Sequence, residues 1–247
     1  MKPRLIVLLA SLVVAIIVMS SFASRSALGL VVQACEINAT VIGSPYPCLK
    51  VVREQDPLSS YAILREPTDK ERTILAPLAD VPGIEDARLI GAGAPNYFEA
   101  AWKEQAASNT ARTANGSARD FALAINAANW RTQDRLHIHM GCVTPRFRAL
   151  LRDHAQQIGS DGFTNLNTRA GWRATFYVAD DLSNLNPLQL VADSLDGARA
   201  NMKNVVVGVF GSTSTDGRHG FYILARIMTE RKSRGSAEDM IDPKCQL

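Results

Sequence analysis

The chain has 247 residues, of which 47% are hydrophobic, 21% charged and 6% aromatic, with a formal net charge of +3. It is long and apolar enough to bury a sizeable core, too mixed in charge to stay disordered, and too weakly basic to be a polycation built for nucleic acid. The apolar residues are unevenly spread, because the nineteen residues from Leu5 to Ala23 carry no charge.

At about 1.5 Å per residue that run makes a helix of roughly 28 Å, close to the ~30 Å hydrocarbon core of a bilayer. Lys2 and Arg4 precede it and only Arg25 follows before Lys50, so positive-inside bias places a short tail in the cytoplasm and the rest of the chain outside. A cleaved signal peptide is the competing reading, with Ser21, Phe22 and Ala23 as a small-x-small site. The uncharged run exceeds the about 7–15 residues of a usual signal core, which favours an uncleaved anchor. Residues 1–24 hold two of the 27 cations and none of the 24 acids, which leaves the exported remainder at +1. Anions must then be bound by locally placed groups rather than by a bulk field.

The expected organisation is a tail and anchor over residues 1–24, a juxtamembrane segment over 25–48 and a folded domain over 49–247. The four cysteines, Cys35, Cys48, Cys142 and Cys245, all follow the apolar run and suit disulfides in an oxidising compartment. No Cys-x-x-Cys spacing points to zinc. Of the three possible connectivities, Cys35–Cys48 with Cys142–Cys245 is favoured, but the sequence alone does not decide between them.

β-rich apolar runs follow at Leu49–Val52, Ser60–Leu64 and Thr73–Ala76, the last ended by Pro77. A loop with Pro82, Gly83, Gly91, Gly93 and Pro95 leads to a helix over Tyr97–Ala107, with Asn96 as its N-cap. After a polar loop over Asn109–Arg119, the runs Phe121–Asn126 and Leu136–Met140 read as a hairpin. A connecting helix is expected over 145–160, starting at Pro145. Trp172–Val178 then reads as a strand, Asn186 and Pro187 open a helix through about Met202, and Val205–Phe210 with Phe221–Met228 form a second hairpin. The order strand, helix, hairpin occurs twice. The expected class is α+β: an antiparallel sheet with packed helices, built from a duplicated β-α-β-β unit, with halves 49–144 and 145–247.

Two of the four histidines, His137 and His139, stand in an apolar strand, where alternation points them to one face together with Arg135. Hydrogen-bonded histidines on a solvated face are one reading. A metal site is less favoured, because His154 and His219 lie in segments without ligand spacing. Catalysis on a phosphate, with one imidazole as nucleophile and the other as a phosphate partner, is the third.

The run from Arg131 to Met140, preceded by Ala124-Ile-Asn126, resembles the active-site strand of the histidine-triad superfamily. Within it, the chain is similar to the CDP-diacylglycerol pyrophosphatase family of bacterial envelopes. The likeness rests on an N-terminal apolar segment with two cysteines soon after it, Pro95-Asn-Tyr-Phe98, Trp102, Ala-Ile-Asn126, Arg131-Thr-Gln133, His137-Ile-His139, Cys142 and Cys245. It implies a histidine-triad-like fold and hydrolysis of CDP-diacylglycerol to CMP and phosphatidate.

In that register His137 is the nucleophile that forms a covalent cytidylyl-histidine. His139 and Thr132 hold non-bridging oxygens, and Asn126 holds a phosphate or orients the nucleotide. Arg131 stands at the family's glutamine and Arg135 at its first histidine, where a guanidinium can neutralise a pyrophosphate oxygen. A shifted register would make His139 the nucleophile. The resemblance calls for no metal and no cofactor. The partners implied are a liponucleotide in the membrane and the membrane itself, not nucleic acid, at a bacterial inner membrane with the catalytic domain in the periplasm. Two other readings stay open: a histidine-triad hydrolase of soluble nucleoside diphosphate esters, and a non-catalytic, anchored phosphate-binding protein.

Overall fold

The computed structural model describes residues 25–66, 72–109, 121–214, 216–228 and 236–242. The expected membrane span, Leu5–Ala23, lies outside these residues, and among those described no helix is long and apolar enough to cross a membrane.

Ten strands form one sheet: β1 (Lys50–Val52), β2 (Tyr61–Arg65), β3 (Thr73–Pro77), β4 (Phe121–Ile125), β5 (Ile138–Val143), β6 (Thr164–Asn165), β7 (Arg173–Val178), β8 (Val205–Thr213), β9 (His219–Ile227) and β10 (Ile241–Asp242). Among the described residues four α-helices accompany them: α1 (Ala27–Val41), α2 (Tyr97–Asn109), α3 (Pro145–His154) and α4 (Pro187–Ser194). The strand order is β1-β2-β3-β5-β4-β8-β9-β7-β6, with β10 on β5, and the pairs are antiparallel. The class is therefore α+β.

β3-α2-β4-β5 and β7-α4-β8-β9 have the same element order, and their strands lie as mirror-ordered sets on either side of the β4–β8 pair. One row of paired residues runs across the sheet from β2 to β6: Leu64, Ile74, His139, Ala124, Gly208, Leu224, Ala174 and Thr164. Directly paired residues share a face, so this row defines the face that carries His139.

The opposite face is the larger core. Leu75, Leu123, Ile138, Val207 and Ile223 pack there beneath Phe98 and Ala101 of α2 and Leu188 and Val191 of α4. The His139 face is covered in two patches. α1 lays Leu28, Val32 and Cys35 on Ala62, Leu64, Ile74 and Ala76, while Phe147 and Leu151 of α3 join Ala122, Trp172, Phe210 and Leu224. Because both faces are buried, the central strands read as apolar runs rather than as alternations.

Local chemistry sets the helix ends. Asn96 Oδ1 accepts from Glu99 N at 3.2 Å and caps α2, while its Nδ2 donates to the carbonyls of Leu182 and Leu185. Asn186 Oδ1 accepts from Leu188 N and Gln189 N, with Pro187 in the first turn of α4.

Several sequence expectations need correcting. The helix expected from Pro187 to about Met202 stops at Ser194. Gly197 then adopts φ +76°, a backbone region that favours glycine, and a short 3-10 segment runs over Arg199–Asn204. The helix expected over 145–160 ends at His154. The strand expected at Leu136–Met140 starts at Ile138, because Leu136 N donates to Val81 O in a loop rather than to the ladder. The segment 25–48 contains a fifteen-residue helix that belongs to the core.

Cys35 and Cys48 form the expected disulfide. Cys142 is also disulfide-bonded, whereas Cys245 lies outside the described residues. The Cys35–Cys48 bond ties the middle of α1 to the residues just before β1. The two cysteines are 13 residues apart, so the cross-link restricts a loop of a size worth about 3 kcal/mol in unfolded-chain entropy. The double substitution Cys35→Ser/Cys48→Ser should lower stability by about that amount in denaturant titrations and expose α1 to limited proteolysis first.

Candidate active site

His137 and His139 sit where the two covering patches of the sheet leave a gap. Their rings are 4.9 Å apart at centroids and nearly perpendicular. Both are buried at the floor of a cavity of about 530 Å³. Glu66, Glu238, Thr132 and Gln133 complete the polar end, and Ala27, Leu28, Val31, Leu49, Leu64 and Ile74 form an apolar wall with Pro47.

The Nδ1 of His137 lies 2.7 Å from the carbonyl oxygen of Arg135. A carbonyl can only accept, so Nδ1 carries the proton and Nε2 keeps its lone pair. Burial, helped by the neighbouring His139, pulls the His137 pKa down from 6.5 to about 4. At neutral pH this ring is therefore uncharged, with a nucleophilic nitrogen at Nε2.

His139 Nδ1 is 2.5 Å from Glu66 Oε1. The carboxylate accepts, which turns Nε2 toward Glu238, whose Oε1 is 3.8 Å away. Arg72 lies between these two acids, with Nη2 2.9 Å from Glu66 and 3.4 Å from Glu238. Its side chain is only 3% exposed, so Arg72 and Glu66 form a buried ion pair beside the His139 ring, which the half-buried Glu238 joins from the cavity side.

Small side chains explain how Glu238 reaches the site. A Cβ on Gly141 would lie 2.7 Å from the Ile241 side chain, and one on Gly208 would overlap Met240 Sδ. These two glycines, with Ala124 between them in the sheet, let the segment Ala237–Asp242 lie directly over the strands. β10 then pairs with β5 through Ile241–Val143 and Asp242–Cys142.

The expected site residues divide into two groups. His137, His139 and Thr132 line the cavity. Asn126 is buried beside it, opposite His137 if the β4–β5 register is continued from Ala124–His139. Its Oδ1 accepts from Ala237 N at 2.8 Å, and its Nδ2 is buried without a partner among the described residues.

Arg131 and Arg135, expected to meet phosphate, do not line the cavity. Arg135 donates to the carbonyls of Pro77 and Leu78 at 2.9 and 2.7 Å, and Arg131 pairs with Glu85 and Asp134. Both are drawn to fixed acceptors near the end of β3 and in the loops around the site. The arginine that does line the cavity is Arg65, exposed at the end of β2 and without an ion-pair partner among the described residues.

Sequence reasoning missed Arg65, Glu66, Arg72 and Glu238. None of them belongs to the histidine strand, and Glu238 is 99 positions from His139. The pairing of β3 with β5 brings the first three close, but no local pattern in the sequence marks them. Among the described residues no group of three or more His, Cys, Asp or Glu side chains is arranged to hold a metal ion.

The model of the CDP-diacylglycerol pyrophosphatase family matches residues 23–247. The chain belongs to this family. A CDP-diacylglycerol pyrophosphatase of Yersinia pestis is 29% identical over 231 residues, which covers 92% of this chain and 86% of that protein. A probable CDP-diacylglycerol pyrophosphatase of Mycobacterium leprae (strain TN) is 36% identical over 133 residues, 53% of this chain and 48% of that protein. The family match takes in α1, the histidine strand and the Glu238 segment.

Two outcomes test this geometry. Arg72→Ala leaves Glu66 and Glu238 without their buried cation, so it should cost about 3–5 kcal/mol in denaturant unfolding. His137 has a folded pKa of about 4, below its unfolded 6.5, so unfolding takes up a proton between these values. Its contribution is present above pH 6.5 and is lost as pH falls toward 4, amounting to about 3 kcal/mol. The wild-type denaturation midpoint should fall across that window, and His137→Asn should fall less steeply.

Proposed function

We infer that this protein hydrolyses the pyrophosphate of CDP-diacylglycerol to CMP and phosphatidate, in phospholipid metabolism. The family supplies the substrate. The observation that carries the chemistry is the hydrogen bond from His137 Nδ1 to Arg135 O, which leaves Nε2 unprotonated in the cavity.

In the reaction we propose, Nε2 of His137 attacks the phosphorus that bears the cytidine. A bond forms between nitrogen and phosphorus, the bond to the bridging oxygen breaks, and phosphatidate leaves with the electron pair. Water then attacks the phosphorus, the bond to Nε2 breaks with its electron pair returning to the imidazole, and CMP leaves as the proton of the water passes to solvent. His139 and Thr132 hold the non-bridging oxygens, with Glu66 fixing the His139 ring. The buried Nδ2 of Asn126 supplies a further donor beside His137. Preorganised donors of this kind stabilise the charge that builds on a phosphorane-like transition state.

Arg65, not Arg135, takes the charge-neutralising role, and Arg131 and Arg135 position the loop that carries Thr132. These roles ask for no metal or cofactor. The fixed tautomer of His137 favours it over His139 as nucleophile. His139 has its own Nδ1 tied to a carboxylate and its Nε2 near a second one.

The repeated strand, helix, hairpin order supports a histidine-triad-like fold in which 49–144 is the catalytic half and 145–247 the second half. We read residues 1–24 as a single-pass anchor in a bacterial inner membrane, with the tail cytoplasmic and the domain periplasmic. The nineteen uncharged residues and the cations before them support that reading. An anchor would confine the domain to the surface that holds its lipid substrate and raise its effective concentration.

Purified protein should release CMP from CDP-diacylglycerol with or without EDTA. His137→Ala should lower turnover by about 10³-fold or more, and His139→Ala by about 10²-fold. Substrate labelled in the cytidine-linked phosphate should leave acid-labile, base-stable label on wild-type protein and none on His137→Ala. Residual activity of His137→Ala comparable to wild type would sink the assignment. Since the nucleophile must be neutral, kcat/KM should hold from pH 7 to about 5 and fall near the His137 pKa of about 4.

A further inference from the structure

α1 is apolar on more sides than its packing uses. At about 100° per residue, Leu28, Val32 and Cys35 form one stripe, which is buried on the sheet. Leu30, Ile37 and Val41 form a second stripe roughly opposite, and all three are exposed. Between the two stripes, Ala27 and Val31 turn toward the cavity and, with Leu28 of the buried stripe, make its apolar wall. The polar residues Gln33, Glu36 and Thr40 share the remaining flank, and Asn38, near the end of the helix, donates its Nδ2 to the Tyr46 carbonyl.

The exposed stripe continues into the turn after the helix. Seven large apolar side chains are exposed among the described residues, and six of them, Leu30, Ile37, Val41, Ile42, Tyr46 and Leu49, lie between positions 30 and 49. Leu49 also borders the cavity. A patch gathered on one helix and its following turn marks a contact surface rather than scattered surface residues.

The chain itself indicates what covers this surface. The uncharged run ends at Ala23 and α1 begins at Ala27. Four residues of chain reach at most about 14 Å, so an end of that run held at a membrane boundary holds α1 beside the same boundary.

We propose that the outer stripe of α1 and the Ile42–Leu49 turn seat on the lipid bilayer, so that the cavity opens at the membrane surface and an acyl chain enters along its α1 wall. The proposal rests on the reading of the substrate as a diacyl liponucleotide and adds where its lipid part lies. The pyrophosphate sits at the His137–His139 end, and the acyl chains run between α1 and Leu64 toward the bilayer.

Contacts at the start of α1 link this seat to the reacting end. Leu28 N donates to Gln133 Oε1 at 2.8 Å, and Arg25 makes paired hydrogen bonds to Asp134. The helix that meets lipid is thus tied to the loop that carries Thr132.

The full-length chain in phosphatidylcholine vesicles, with and without dibromo-acyl phosphatidylcholine, tests the surface. Ile37→Trp adds one tryptophan to the native three, and its emission, taken as the difference from wild type, should be quenched by more than half. Arg152→Trp, on α3, should show no added quenching. No added quenching for Ile37→Trp, or equal quenching for both variants, overturns the proposal whatever the activity.

A kinetic arm uses Ile37→Glu/Val41→Glu. Its kcat/KM on vesicular CDP-diacylglycerol should fall at least tenfold, while turnover of the water-soluble dibutanoyl analogue stays at the wild-type level. An equal fall on both substrates, or no fall on either, also overturns it. If Ile37→Trp is quenched as expected but the wild-type protein hydrolyses neither substrate, the substrate reading fails and the bilayer seat stands.

Discussion

The guanidinium of Arg72 is held between Glu66 and Glu238 in a place that water scarcely reaches. A lone charge at the depth of Arg72 would cost several kcal/mol, which its pairing with Glu66 and Glu238 offsets. That pairing joins three distant parts of the chain: the end of β2, the start of β3 and the turn before β10. The His139 ring lies within that junction, bonded to Glu66 on one side and near Glu238 on the other. Its orientation follows from the charge balance of the network and not from its own strand alone.

His137 is fixed by a different means. Its partner is a main-chain carbonyl two residues earlier, so its tautomer depends on the backbone course at Arg135. That course is held in turn by the Arg135 side chain on the carbonyls of Pro77 and Leu78 and by Leu136 N on Val81 O. An arginine that never faces the cavity thus helps to define which nitrogen of the neighbouring histidine is free. Two rings 4.9 Å apart are given different chemical characters, one by a neutral acceptor and one by a carboxylate.

Much of this was legible in the sequence. The β-branched runs located the main strands, Asn96 and Asn186 marked true helix starts, and His137 and His139 do share a face. Side-chain commitments were harder to read. An arginine beside two histidines suggests phosphate binding, yet Arg135 is close enough to the end of β3 to be captured by carbonyls, a contact fixed only by the β3–β5 pairing. α1 was hidden for another reason. Its apolar residues surround most of the helix instead of forming one stripe, so no periodic signal separates it from an extended apolar linker. The acids near His139 come from β2 and from the end of the described chain, and only the register of the sheet brings them there.

The row of paired residues through Ala124 and Gly208 has His139 one strand out on one side and Leu224 one strand out on the other. Around Leu224 the corresponding space is filled by Trp172, Phe176 and Tyr222. One half of the mirror-ordered sheet therefore holds polar groups that weaken a core, while the other half is packed solid with aromatic rings. The polar cleft is therefore backed by an aromatic-filled region of the same sheet, and borrows from it a rigidity that its own packing does not supply.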